Sequence, residues 1–138
     1  MAFRPYLAFN GNCREAFTRY REIFGGELVL LTYSDVPSDA LPDGLQPDSI
    51  MHAALRSGDD LLMGADAPPG TFDGNVHGMC ANYSTTDVEV AKHVFSALEV
   101  GAEVQMPLGE TFFSPAFGMC IDRFGTPWMI STGQEAPA

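Results

Sequence analysis

Residues 12–26 read NCREAFTRYREIFGG and residues 87–101 read DVEVAKHVFSALEVG, two stretches 75 positions apart that decide the fold. In the first, Ala16, Phe17, Tyr20, Ile23 and Phe24 recur at helical spacing, which places them on one stripe. Asn12 stands where a capping side chain belongs, Glu15 follows as a capping-box partner, and Gly25-Gly26 stop the helix. In the second, Asp87 is the cap, Ala91, Val94, Phe95 and Leu98 form the stripe, and Gly101 is the stop. Cap, stripe and stop superpose on that one shift, so the chain reads as an internal duplication.

The flanks repeat as well. PYLAFNGN (5–12) precedes the first helix as a short strand, and ELVLLTYSD (27–35) follows it as another. A loop carrying Pro37, Pro42, Gly44 and Pro47 leads to SIMHAALRSGD (49–59) and LLMGAD (61–66), a hairpin around Ser57-Gly58-Asp59-Asp60. APPGTFDGN (67–75) is a connector too rich in Pro and Gly for regular structure. HGMCANYSTT (77–86) and AEVQM (102–106) bracket the second helix as strands. AFGMCIDRFGTPWMIS (116–131) is a last hairpin, turning at Asp122-Arg123-Phe124-Gly125.

The fold class is therefore α+β: two βαβββ modules, about 3–66 and 76–133, within a single domain of 138 residues. Each helix covers the outer face of a mixed, mostly antiparallel sheet. The uncovered faces are expected to form a trough, where a ligand would lie.

Composition limits the partners. A net charge of −11, with eight aspartates from Asp35 to Asp73 against one basic residue, Arg56, argues against nucleic acid and anionic lipid. The apolar content of 46% fills a core, but no apolar run is long enough to cross a bilayer. MAFRPYLAFNGN lacks the apolar core of a signal peptide, so a cytoplasmic protein is expected. Cys13, Cys80 and Cys120, odd in number and without C-x-x-C spacing, fit reduced thiols.

PYLAFNGNCREAFTRYREIFGGE, MHAALRSGDDLLMGAD and DRFGTPWMI resemble the PhnB-like branch of the vicinal-oxygen-chelate superfamily, which includes glyoxalase I, bleomycin-resistance proteins and extradiol dioxygenases. The resemblance spans nearly the whole chain and implies the same duplicated plan. It also implies a divalent metal held by four His, Glu or Gln ligands from the first and last strands of each module. Carried onto this chain, those slots fall at Pro5, at Cys80 or Ala81, at Leu62 or Met63, and at Met129. None is a carboxylate or an imidazole, so no metal and no other cofactor is expected.

Two functions from different classes remain. The first is a metal-free binder of a small organic molecule, with Tyr33, Met63, Phe112, Phe113 and Met129 lining the trough. The second is an enzyme using His52 and Glu110 as an acid–base pair, with or without a non-standard divalent metal position. His52 alternates away from Met51, Ala53 and Leu55, which places it on the trough face if those three pack beneath the helix. Glu110 opens ETFFSPAFG (110–118), where the rings of Phe112 and Phe113 would raise its pKa. A homodimer is expected, because twofold pairing would bury the trough's open edge.

Overall fold

A computed structural model describes residues 2–35 and 41–133. Pro37 lies outside the described residues. The chain divides into two compact units, Met1–Asn75 and Val76–Ala138, each an α+β arrangement of one helix and one four-stranded sheet.

In the first unit the strands are β1 (Tyr6–Phe9), β2 (Glu27–Thr32), β3 (Ile50–Ser57) and β4 (Asp60–Asp66), with α1 (Cys13–Phe24) between β1 and β2. The sheet order is β1-β4-β3-β2, with β1 and β4 parallel and the other pairs antiparallel. The second unit repeats this plan with β5 (Ala81–Thr85), α2 (Val88–Leu98), β6 (Glu103–Gly109), β7 (Phe117–Ile121) and β8 (Pro127–Thr132). Its order is β5-β8-β7-β6, with β5 parallel to β8.

Each helix forms because its apolar stripe has a sheet face to cover. Ala16, Phe17, Tyr20 and Ile23 of α1 are buried, as are Leu7, Phe9, Ala53 and Leu55 in the strands. Phe9, Phe17 and Tyr20 meet edge to face, with centroids 5.7 and 5.5 Å apart. Gly64 permits this approach, since a Cβ there would stand 2.8 Å from the Phe17 ring and 2.8 Å from the Leu7 carbonyl. The second unit solves the same problem with Gly118, where a Cβ would meet Phe95 of α2 at 2.8 Å. Ala91, Val94, Phe95 and Leu98 close over Ala81, Cys120, Trp128 and Ile130, all buried.

The helix starts differ, and one expectation is corrected. Asp87 caps α2, its Oδ1 accepting from Glu89 N at 2.9 Å and Val90 N at 3.4 Å. Asn12 makes no such bond, and its buried Oδ1 has no partner. Asp66 takes over from the end of β4: Oδ1 accepts from Cys13 N at 3.0 Å and Oδ2 from Ile50 N at 2.8 Å. One buried carboxylate thus holds the start of both α1 and β3, satisfying donors that α1 cannot satisfy itself.

Three strand expectations also shift. The strand expected over 27–35 ends at Thr32, and Tyr33–Asp35 form a 3-10 turn. Asp35 Oδ2 accepts from Thr32 N at 2.9 Å, and Ser34 N donates to Pro47 O, which bends the chain out of the sheet. The strand expected over 77–86 begins only at Ala81, and Gly78 ahead of it sits at φ 75°. Conversely, β6 runs past Met106 to Gly109 across irregular register; Pro107 fits there because β6 is an edge strand.

Candidate functional site

Each sheet has a second face, away from its helix. Register defines it, because residues directly opposite one another on neighbouring strands share a face. In the first unit Leu7, Gly64 and Ala53 lie in one row beneath α1. The flanking row of Tyr6, Met63, Ala54 and Val29 therefore faces away from it. Tyr6 is 51% exposed and Val29 52%, so this face is uncovered within its unit.

His52 is on that face, paired across the ladder with Leu31. The sequence expectation about its direction agrees, although Ile50 does not share the face. A register shift between Leu31 and Thr32 sends Ile50 into the core, where it is 1% exposed. The structure brings His52 to Tyr6: the phenol oxygen lies 3.0 Å from Nδ1, and the rings are 5.7 Å apart at 32°. Partial burial, then the neighbouring Cys13 thiol and Tyr33 hydroxyl, hold the Tyr6 pKa above its ordinary value, so the phenol stays protonated. Which of the two groups donates follows the His52 tautomer, so the contact itself fits either direction.

Tyr33, expected on this wall as a strand residue, is half-buried in the 3-10 turn yet near enough to influence the Tyr6 phenol. Sequence reasoning missed the role of Tyr6, because its pairing with His52 crosses 46 residues.

In the second unit Gly118, Cys120, Trp128 and Ile130 face α2 or are buried beneath it. Met106, Met119, Met129 and Asn82 form a row on the opposite face. Next to it stand Phe117, Ser131 and Ser84. Ser84 Oγ and Ser131 Oγ are 2.9 Å apart, and Asn82 Nδ2 donates to Ser84 Oγ at 3.2 Å. Phe113 packs edge to face on Phe117 with centroids 4.9 Å apart. Phe112 touches Phe113 at 5.1 Å but is otherwise fully exposed, so within this unit it lines no wall. Glu110 is exposed at the mouth of the same loop.

Ser114 anchors that loop. Its Oγ donates at 2.8 Å toward the carbonyls of Ala116 and Thr132, and it accepts from Thr132 N at 3.2 Å. Asp122 organises the last hairpin in a similar way. It is 5% exposed, with Oδ1 accepting from Phe124 N and Thr126 N and Oδ2 from Trp128 Nε1 at 2.9 Å. Both residues fix the ends of the strands that carry the methionine row. The thiol of Cys120 is pushed up to about 11 by burial and then by Asp122, and that of Cys13 is raised by burial and then by Asp66. Both are neutral core groups, not nucleophiles.

The family's metal slots can now be tested as a donor set. Met63 pairs with Tyr6, and Met129 with Asn82, on the uncovered faces. Ala81 is buried, and Leu62 pairs with the buried Leu55 on the helix side. A thioether, a phenol and one imidazole on the first unit's face, and a thioether and an amide on the second's, each fall short of a site for Mg, Mn, Fe, Ni or Zn. Among the described residues no group of three or more His, Cys, Asp or Glu could hold a metal ion. The residues present do not fit the family's metal.

Protein YjdN of Escherichia coli K12 is 33% identical to this chain over 147 aligned positions, covering 99% of each. The crystal structure of protein PA1353 from Pseudomonas aeruginosa superposes with a TM-score of 0.87 at 41% identity, covering 98% of this chain and 99% of that one. A PhnB protein from Bacillus cereus gives 0.77 at 22% identity over 96% and 99% of the two chains. The chain belongs to the family of protein YjdN, and its fold is the PhnB-like vicinal-oxygen-chelate fold. A glyoxalase/bleomycin resistance protein/dioxygenase family enzyme from Burkholderia phytofirmans PsJN shares the PhnB-like fold at a TM-score of 0.62 and 15% identity, over 96% and 100% of the chains. No family model matches the sequence. No helix among the described residues is long and apolar enough to cross a membrane.

Proposed function

We propose that this PhnB-like protein binds a small organic molecule on the uncovered sheet faces without a metal ion. The observation that carries the reading is the donor set: Met63 and Met129 stand at family metal slots, in register with Tyr6 and Asn82. A thioether beside a phenol on one unit's face, and thioethers beside amide and hydroxyl groups on the other's, suit a neutral organic ligand and serve a hard cation poorly. In this reading Met63 and Tyr33 contact a ligand on the first unit's face and Met129 and Phe113 one on the second's, and Phe112 does so only by swinging in from solvent.

An enzymatic reading is favoured by one observation, the 3.0 Å contact between Tyr6 and His52. In that reading Tyr6 joins His52 and Glu110 as a candidate proton-transfer group. The first reading is preferred, because a phenol–imidazole pair also serves plain recognition.

Thermal unfolding of the intact protein against fractionated metabolites tests binding directly. Ligand at 100 times its Kd adds about 2.7 kcal/mol, a readily measured rise in midpoint. A panel in which no organic fraction raises the midpoint would count against the proposal.

A further inference from the structure

The uncovered face of the second sheet has two ends of different chemistry. Met106, Met119 and Met129 stand side by side on β6, β7 and β8, and Phe117 lies in the adjoining row with Phe113 against its edge. Neighbouring strands are about 4.8 Å apart, so the three thioethers cover about 10 Å of sheet, the span of two or three fused rings. Beyond them, on β8 and β5, come the amide of Asn82 and the paired hydroxyls of Ser84 and Ser131.

We propose that this face holds a flat aromatic molecule of two or three fused rings, with a hydroxyl or carbonyl oxygen on the edge that meets Asn82, Ser84 and Ser131. The proposal rests on the reading of the protein as a small-molecule binder and names the ligand's class. Three considerations support it.

Methionine is a common core filler, but these three point away from the helix, and Met106 is 43% exposed. Strand positions of that kind ordinarily carry polar or β-branched residues. Unbranched, polarisable thioethers gain from an aromatic ring roughly two- to ten-fold in affinity per contact, and a saturated ring gains nothing comparable. The polar end is neutral: no Lys or Arg occupies the paired positions of β5, β7 and β8 on this face, and the chain carries −11 overall. A carboxylate would therefore lose its water without gaining a counter-charge, whereas a hydroxyl or carbonyl is satisfied by amide and hydroxyl groups that both donate and accept.

Calorimetric titration of the intact protein with 2-naphthol, its fully saturated analogue decahydro-2-naphthol, and 2-naphthoate tests the assignment. We expect 2-naphthol to saturate one site, and each of the other two to bind at least ten-fold more weakly. Met119→Leu keeps the volume and the urea midpoint. It is expected to weaken 2-naphthol three-fold or more and to leave the saturated analogue unchanged. Equal binding of the aromatic and saturated compounds, or no effect of M119L, overturns the aromatic class while leaving small-molecule binding intact. Absence of binding by all three probes also overturns the proposal. The underlying reading falls with it only if no metabolite fraction stabilises the protein.

Discussion

Asn12 and Asp87 occupy equivalent positions and carry interchangeable capping chemistry, yet only Asp87 caps its helix. At α1 a side-chain anchor comes instead from Asp66, 53 residues beyond Cys13, whose carboxylate accepts from the first amide of the helix. Asp87→Ala should cost about 1 kcal/mol, the ordinary value for a lost cap. Asn12→Ala should cost less than about 0.5 kcal/mol, because no bond is lost. Asp66→Ala should cost about 3 kcal/mol or more, because it orphans Cys13 N and Ile50 N in the interior. Urea midpoints of the three variants check that order, and an Asn12→Ala loss equal to that of Asp87→Ala would contradict it. The sequence marked a capping residue at each helix, because spacing is local. It could not mark Asp66, Tyr6 or Ser114, whose partners are brought close only by the fold.

At the scale of elements, both helices were legible because each stripe recurs at 3.6-residue spacing and ends at glycine. Strand limits were less legible. The segment 27–35 is apolar from Leu28 to Leu31 and gives no hint that Asp35 folds back onto Thr32 N to end the strand. The glycines inside strands were unread as well. Gly64 and Gly118 sit under Phe17 and Phe95 in the two units, so the duplication extends to how closely each helix approaches its sheet. Gly64→Ala should destabilise by about 1–3 kcal/mol, because the added carbon meets the Leu7 carbonyl as well as a ring and neither can yield fully. Chemical denaturation checks this; an unchanged midpoint would mean that α1 rides higher on the sheet than described.

At the scale of the whole molecule, the duplication and the α+β class follow from one shift of 75 residues in the sequence, and the structure repeats the strand order in both units. The site was legible only in part. His52 could be placed on a face by alternation, and Met63 and Met129 by the resemblance, but the methionine row needs the cross-strand register, which no sequence window contains. Assembly is argued at this scale too. Phe3, Val29, Met79, Val104 and Phe112 are exposed, apolar side chains that pairing with a second copy would help to bury. We expect a homodimer of the 14.9 kDa chain. Each copy carries −11, so added salt should screen repulsion and leave the dimer intact. Sedimentation at micromolar concentration reads this, with the monomer mass as the contrary result.

We propose that the thioethers at Met63 and Met129 mark ligand-binding faces, one in each unit, that lack the family's metal chemistry. The most direct test is elemental analysis of the protein purified without chelator and then equilibrated with Zn, Mn, Fe and Ni. The account predicts far less than one ion of any of them per chain. One tightly held ion per chain would contradict it.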